Sequence, residues 1–575
     1  MVYLNINNIH NRENKMEQKF IDMAKDFVEN EKQFHLGFLP TEQSNPLTKT
    51  LEKDFRSDPV QGVRTLQKCD RNVLEMLKKV FASKEFALLA DTIYSTVTSG
   101  KRVIFSGCGA TGRLSILIEC MWKKFCTENP ALASYAKNVE SIMTGGDFAL
   151  IRSVEFFEDY HAFGARQVRE TCMEEGDTLV AITEGGETSS VLGSIAQALE
   201  NGCKVFLLFN NPADLLADNL ERSRAAIRDS RVTVLDLYCG PMALAGSTRM
   251  QATTSEQYVA GAALEMTACR LAGSEKMDYA KEFEKLISVL EDSASVLASY
   301  AEFEAGIYRK KGYVTYFADD YLLDIFTDTT ERAPTFMIPP FRKCDDKVSP
   351  LPWAFVKNPL LTTEEVWAKG MNRPLRCLSW DTALLEEMGA PANIAKNPPA
   401  ITASEMVKIR VGKEDMAERY EGVLSAAVLV TVGKNVPAEL KKAFDGSCAS
   451  FNECTVLSIG GTQGERIIPY EIPSSPFTLL GHMAIKLVLN TISTGTMVLL
   501  GRVAGNWMSW VDCTNKKLLD RGTRLVCELS SLDYSTSCAM IFEALHEINS
   551  RTVTKGFEKP SAVQIVLEKL KNQKA

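Results

Sequence analysis

The chain lacks the features that mark several common protein classes. It has only five histidines in 575 residues, without metal-ligand spacing, so we expect no metal site. Its fifteen cysteines include no C-x-x-C or C-x-x-H pair, and the polar N-terminus has no apolar export signal, which together predict free thiols in a reducing cytoplasm. The most apolar late stretch, 487–503, contains polar residues and an arginine, which favours a buried core helix over a membrane span.

Excess positive charge is also missing. The net charge is −8, and lysines and arginines are scattered rather than clustered, which argues against a nucleic-acid partner. A hydrophobic content of 45 % and a charged content of 24 % are typical of a globular protein. A chain of 575 residues is too long for one core, so we expect two or three domains.

The segment 103–113, VIFSGCGATGR, carries the strongest local signal. An apolar run predicts a strand, Gly107 and Gly109 predict a tight turn, and apolar residues at helical spacing follow from Leu114. This arrangement directs free backbone N–H groups at an anion, and Thr111 adds a hydroxyl. The lysine of nucleotide-binding loops is absent, and we expect no cofactor. A phosphate-binding turn and a purely structural one both remain open.

A second loop supports the phosphate interpretation. Residues 179–188, LVAITEGGET, again predict a strand that enters a polar, glycine-rich loop, with a helix after it. Thr183 and Thr188 flank Gly185 and Gly186, which supplies hydroxyls and accessible amides without net charge. Two such loops at the ends of parallel strands would form one crevice of an α/β sheet.

The second half repeats this pattern in a degenerate form. Residues 312–336 predict another strand, loop and helix, but the loop at 318–320 has two aspartates in place of glycines, and 424–437 lacks the threonines and the double glycine. We therefore expect one phosphate-binding site per chain and either a monomeric pseudo-dimer or a homodimer. The predicted organisation is an N-terminal arm (1–50, with a helix over 16–34), a first domain (51–290), a second domain (291–500) and C-terminal helices (501–575).

These motifs resemble a known family. TEGGET is similar to the S-x-S-G-E-T loop of sugar isomerase (SIS) domains, and GCGATGR resembles G-x-G-T-S-G-R of the N-acetylmuramic acid 6-phosphate etherases and the glucokinase regulatory proteins. The segments 39–48, 240–251, 486–508 and 514–521 also resemble these two sister families. The resemblance implies an α/β fold with two tandem SIS domains, parallel sheets with helices on both faces, and a C-terminal helical lid.

The resemblance also implies site residues. Glu158 and Glu331 match the positions of the two etherase glutamates, and Lys486 matches a family lysine whose counterpart in the first half is Gln257. The predicted ligand contacts are Gly107, Gly109, Ala110, Thr111, Thr183, Gly185, Gly186, Glu187, Thr188, Ser247, Glu158, Glu331 and Lys486. The competing interpretations are a solvated Glu158, a Glu331 that pairs with Arg332 or caps a helix, and a surface Lys486. Ser247 could likewise belong to a helix N-cap, with Arg249 as a structural arginine.

Two functions follow from the resemblance. One is a sensor that binds a fructose phosphate or an amino-sugar phosphate and controls a sugar kinase. The other is a lyase that releases D-lactate from N-acetylmuramic acid 6-phosphate, with Glu158 and Glu331 as the catalytic carboxylates. An aldose–ketose isomerase is a third, weaker alternative. Departures from the family pattern, such as Ala110 and Glu187 in the two loops, favour binding over catalysis.

Overall fold

The computed structural model describes residues 17–154 and 156–572 of the chain. Its first helix, α1 (Gln18–Asn30), is followed by a single 3-10 turn over Lys32–Phe34. The helix expected over 16–34 is therefore shorter at its C-terminal end, and Met16 lies outside the described residues. Phe20, Ala24 and Phe27 form its buried face, which packs against a helix near the C-terminus.

The first half forms a five-stranded parallel sheet with the order β2-β1-β3-β4-β5. Its strands are β1 (Val103–Gly107), β2 (Val139–Met143), β3 (Thr178–Ile182), β4 (Lys204–Phe209) and β5 (Val232–Asp236). Helices cover both faces, so strands such as β1 and β3 are buried at every residue and read as continuous rather than alternating apolar runs.

The second half forms another five-stranded parallel sheet with the equivalent order, β7-β6-β8-β9-β10. Its strands are β6 (Tyr313–Phe317), β7 (Ala354–Lys357), β8 (Ser425–Val432), β9 (Glu453–Ile459) and β10 (Arg466–Ile468). The identical strand order makes β6 the counterpart of β1 and β8 the counterpart of β3. The expected fold class, two α/β sheets followed by helices, is confirmed, whereas the domain limits at 50, 290 and 500 stay predictions.

Helices surround and connect the two sheets. In the first half they are α2 (Leu51–Ser57), α3 (Pro59–Phe81), α4 (Lys84–Thr98), α5 (Ala110–Glu128), α6 (His161–Glu170), α7 (Ser189–Glu200), α8 (Ala213–Asn219), α9 (Glu221–Ile227), α10 (Gln251–Ala272) and α11 (Tyr279–Asp292). The second half has α12 (Ala294–Arg309), α13 (Leu322–Phe336), α14 (Thr363–Met371), α15 (Thr382–Glu387), α16 (Ala392–Ala395), α17 (Ala403–Met406), α18 (Ala438–Cys448) and α19 (Leu479–Leu499). The C-terminal helices are α20 (Lys516–Ser530), α21 (Tyr534–Ser550) and α22 (Ala562–Asn572).

Helices α10 and α19 form the centre of the molecule. α19 packs against α10 of the first half and against α12 and α13 of the second, and almost all of its residues are buried. The apolar stretch at 487–503 is thus largely a core helix, as its composition predicts. Across the described ranges, no helix combines the length and apolarity that a membrane crossing needs.

One cysteine pair differs from the expectation. Cys448, at the end of α18, and Cys454, in β9, form a disulfide with their Cα atoms 5.9 Å apart, so the prediction of free thiols is wrong for these two residues. The turn between α18 and β9 brings these two residues together although they lack C-x-x-C spacing. The other thirteen cysteines are free, and most of them are buried.

Candidate functional site

The first glycine-rich turn joins β1 to α5 at the carboxyl edge of the sheet. A Cβ on Gly107 would lie 2.4 Å from the carbonyl carbon of Thr111, and Gly109 has a φ of +56°, so both positions require glycine. The Thr111 hydroxyl accepts a bond from the Cys108 amide (2.9 Å) and donates to the Cys108 carbonyl (2.8 Å). In this state the hydroxyl stabilises its own turn, and the Thr111 amide donates to the Cys108 carbonyl as well (3.2 Å).

The second loop, between β3 and α7, lies beside the first because β1 and β3 are neighbouring parallel strands. The hydroxyls of Thr183 and Thr188 are hydrogen bonded to each other at 2.9 Å and are buried. Gly186 has a φ of +76°, and its carbonyl accepts a bond from Ser223. The structure therefore brings the two predicted loops together at one edge of the first sheet.

Glu331 reaches this edge from the second half of the chain. It lies on α13 and accepts a bond from Arg113 on α5, which immediately follows the first loop. The Arg113 guanidinium is fixed by two further bonds, to the carbonyls of Leu150 (3.1 Å) and Ala149 (2.8 Å). The neighbouring Arg332 pairs with other groups on the second half, so the interpretation of Glu331 as its partner is wrong.

Lys486 lies in a cavity of about 30 Å³ that both halves line, together with Ala110, Arg249 and Glu331. Its ammonium donates to the Arg249 carbonyl (3.0 Å), the Thr254 hydroxyl (3.0 Å) and the Asn490 side chain (2.9 Å). Burial, reinforced by the Arg249 charge, lowers the pKa of Lys486 to about 7. Lys486 is therefore not a surface residue, but its bonds hold α19 on α10 and do not extend to either loop.

The start of the C-terminal helix α20 supplies a cation and its N-cap supplies an amide, and neither is among the predicted site residues. Lys517 forms an ion pair with Glu187 of the second loop at 3.0 Å, and Arg222 contacts the same carboxylate at 3.3 Å. Asn515 caps α20 by accepting the Leu518 amide, and its side-chain amide donates to Glu158 at 2.7 Å. Both carboxylates, Glu158 and Glu187, are thus linked to the start of α20.

Burial near the start of α20 raises the pKa of two acids, Glu184 and Asp159. Burial raises the pKa of Glu184 to about 7, with the Glu331 and Glu158 carboxylates adding to the shift and Lys517 opposing it. Burial and the adjacent Glu158 raise the pKa of Asp159 to about 7. Burial disfavours the Lys517 ammonium, but the carboxylates around it outweigh this and raise its pKa. The charges of Glu158, Glu331 and Lys517, which come from three parts of the chain, therefore all act on Glu184.

Arg249 and Ser247 come from the 240–251 segment before α10. Arg249 is buried, pairs with Asp328 of α13 at 3.0 Å and donates to Ser493 (2.7 Å) and Thr494 of α19. It connects the two halves. The Ser247 hydroxyl is buried and has no protein partner among the described residues. That leaves it available to a ligand, although its role stays a prediction.

Sequence reasoning missed Asn515, Lys517, Arg222 and Glu184. The 514–521 segment carried a usable signal, since Asn515 is a good N-cap and Lys517 follows it by two residues. Glu184 lies within the second loop itself. Nothing in the sequence around Arg222 indicates its contact with Glu187.

The part of the chain that contains the candidate site is similar to known proteins. Residues 85–199 match the family model described as the glucokinase regulatory protein N-terminal SIS domain, and this range contains both glycine-rich loops and Glu158. N-acetylmuramic acid 6-phosphate etherase 1 of Bacillus licheniformis is 30 % identical over 227 residues, which are 39 % of this chain and 67 % of that protein.

A second curated relative and a solved structure are similar as well. The N-acetylmuramic acid 6-phosphate etherase of a Synechococcus species is 30 % identical over 256 residues, 44 % of this chain and 73 % of that protein. Tagatose-6-phosphate ketose/aldose isomerase from Escherichia coli is 10 % identical with a TM-score of 0.43, covering 79 % of this chain and 96 % of that one.

Proposed function

Because the chain belongs to the SIS-domain family that includes the N-acetylmuramic acid 6-phosphate etherases, we propose that it binds a sugar phosphate at a single site between its two halves and signals the bound state through its C-terminal helices. The ligand would be a fructose phosphate or an amino-sugar phosphate, and the recipient of the signal a cytoplasmic sugar kinase. One observation supports the proposal most directly. The two glycine-rich loops lie side by side, Glu331 of α13 contacts the helix that follows the first loop, and Lys517 of α20 contacts the second loop.

The phosphate would lie against the two loops. The start of α5 presents backbone amides and the positive end of a helix dipole, which favour an anion. The Thr183 and Thr188 hydroxyls bond to each other, so one of them can rotate to donate to a phosphate oxygen. Glu187 does not oppose a dianion strongly, because Lys517 and Arg222 neutralise it.

The sugar ring would compete for two carboxylates whose hydrogen bonds connect different parts of the chain. Glu158 is bound by Asn515 at the start of α20, and Glu331 is bound by Arg113 across the two halves. A sugar hydroxyl that donates to either carboxylate changes the strength of these contacts. Ligand binding is then coupled to the position of α20 and of the second half, which is the property a sensor requires.

Thermal unfolding with a ligand panel tests this proposal. Fructose 6-phosphate, fructose 1-phosphate and N-acetylglucosamine 6-phosphate are each added at millimolar concentration, and at least one should raise Tm because it binds the native state. The variant Thr183→Val with Thr188→Val removes both members of a mutual hydrogen bond, so it should fold yet lose the shift. Thr98→Val, at an exposed position, is the matched control. A shift that survives in the double variant would contradict the assignment.

A lyase activity is the second candidate, and Glu184 favours it. A carboxyl group with a pKa of about 7 beside the Glu158 and Glu331 carboxylates gives the acid and base that an elimination needs. Release of D-lactate from N-acetylmuramic acid 6-phosphate would distinguish the lyase from the sensor. In a lyase, Glu158→Gln or Glu331→Gln should abolish lactate release while sugar-phosphate binding persists.

A further inference from the structure

We propose that the second half has a ligand site of its own, the pseudo-symmetric counterpart of the candidate site, and that it takes a sugar without a phosphate group. A cavity of about 370 Å³ lies between α5 of the first half and the loop after β6, α14 and the start of α19 of the second half. A cavity of this volume is of the size that binds small molecules. The inference rests on the proposed function for the class of its ligand.

The position of this cavity follows from the duplicated topology. β6 occupies in the second sheet the place of β1 in the first, so the loop 318–321 corresponds to the glycine-rich turn at 107–109. α5 and α13 pack against each other and exchange roles between the two sites. The candidate site takes Glu331 from α13, and the second cavity takes Met121 from α5.

The lining no longer suits a phosphate. The loop after β6 carries Asp319 and Asp320 where the first half has glycines, and Asp324 follows on α13. Lys369 contacts Asp319 at 2.6 Å, and Lys124 lies 3.7 Å from Asp320, so the two lysines only offset the acids. Among the described residues that line this cavity, a dianion would find neither an unpaired lysine or arginine nor a glycine-rich nest of amides.

A histidine–aspartate pair borders the cavity instead. His482 Nδ1 lies 2.9 Å from Asp324, whose carboxylate is buried. The pair orients the imidazole and leaves its other nitrogen to exchange a hydrogen bond with a hydroxyl. The Tyr321 ring lies 4.6 Å from the imidazole, centroid to centroid, and both side chains line the cavity.

Backbone strain marks the same place. Tyr321 and Thr478 both have left-handed backbones, with φ of +59° and +50°, and their hydroxyls are 3.1 Å apart. A positive φ is costly for a β-branched residue such as Thr478, and strain of this kind concentrates at functional sites. Both strained residues, Tyr321 and Thr478, line the cavity.

Together these groups fit the chemistry of a sugar ring. The carboxylate of Asp319 and the imidazole of His482 can bond hydroxyls, and the aromatic rings of Tyr321 and Phe477 can cover the apolar face of a pyranose or furanose. The carboxylates that exclude a phosphate are good acceptors for uncharged hydroxyl groups.

Saturation-transfer difference NMR on the full chain tests the site, with D-fructose, D-glucose and N-acetyl-D-glucosamine as probes. At least one should show saturation transfer with the wild type. Tyr321→Gly removes the ring at a position whose backbone glycine adopts freely, so the variant should fold and bind the sugar about tenfold more weakly. Tyr321→Phe keeps the ring and should stay within about threefold of the wild type.

The two proposals fail separately. The Thr183→Val, Thr188→Val variant should lose fructose 6-phosphate and keep the sugar signal, and Tyr321→Gly should do the reverse. No transfer to any of the three sugars, or an unchanged signal in Tyr321→Gly, would overturn the second site. A sugar signal that fructose 6-phosphate removes by direct competition would place the sugar in the first site and would also overturn it. If the wild type binds one of the sugars but none of the sugar phosphates, only the proposed function is overturned.

Discussion

Replacing Lys517 by methionine should weaken sugar-phosphate binding more than any other single change on α20. The ammonium lies 3.0 Å from Glu187 of the second glycine-rich loop, and it interacts electrostatically with Glu158 and Glu184. A hydrogen bond from a charged donor to a phosphate is worth about 1.5–3 kcal/mol, which corresponds to about a 10- to 100-fold rise in Kd. The loss of a cation among three glutamates acts in the same direction.

The folded state should tolerate this change. Breaking a buried ion pair costs about 3–5 kcal/mol when one charge is left alone, but Glu187 keeps Arg222 at 3.3 Å, so we expect about 1–2 kcal/mol. Lys516→Met is the matched control, since Lys516 is the adjacent residue, is half exposed and pairs with Glu31 instead of Glu187.

Isothermal titration calorimetry with fructose 6-phosphate measures both variants at low and high salt. The wild-type Kd should rise with salt, and this dependence should be smaller in Lys517→Met because one cation fewer faces the phosphate. A Kd of Lys517→Met within twofold of the wild type would refute a site that includes α20. Equal weakening in Lys516→Met would indicate general electrostatic attraction rather than a direct contact.

Three further outcomes test the surroundings of the site. Arg113→Met leaves the carboxylate of Glu331 without its partner and should cost about 3–5 kcal/mol, read as a lower Tm, whereas Arg152→Met at an exposed position should leave Tm unchanged. Because the pKa of Glu184 is raised from 4.5 to about 7, its contribution to stability is present below pH 4.5 and is lost as the pH rises through 7; the Tm difference between wild type and Glu184→Gln should follow this course. Burial opposes ionisation of Glu42, but Arg521 and Arg524 lower its pKa to about 2, so its contribution should be lost as the pH falls from about 4.5 towards 2 and should be missing in Glu42→Gln.

The sequence predicts the local elements of the site better than their partners. Strand, glycine turn and helix at 103–128 follow from residue pattern, because Gly107 and Gly109 are required by backbone geometry alone. The adjacency of the two loops follows from parallel α/β topology. The first feature depends on short-range chemistry and the second on a general rule of parallel α/β topology, and both can be applied to a single sequence.

Partners across the two halves are set by packing at long sequence separation. Glu331 stands beside Arg332 in the sequence, yet neighbouring helical residues point about 100° apart, and Arg332 instead pairs with Asp328 one turn earlier. The i, i+4 spacing of Asp328 and Arg332 could have been read from the sequence. The approach of Arg113, 218 residues away, could not, because it depends on how α5 meets α13.

Duplication alone would give two equal sites, and the residues explain why they differ. In each site one half supplies the loop and the other half supplies the side chain on the crossing helix. The first half has kept its glycine loop and has Met121 on its helix, whereas the second half has lost its glycine loop and has Glu331 on its helix. Because the helices cross, the intact loop and the glutamate meet in the same place. In the proposed sugar-phosphate site the glycine-rich loop and the glutamate therefore occur together, and the other cavity is lined by Asp319, Asp320 and Asp324 without a glycine-rich loop.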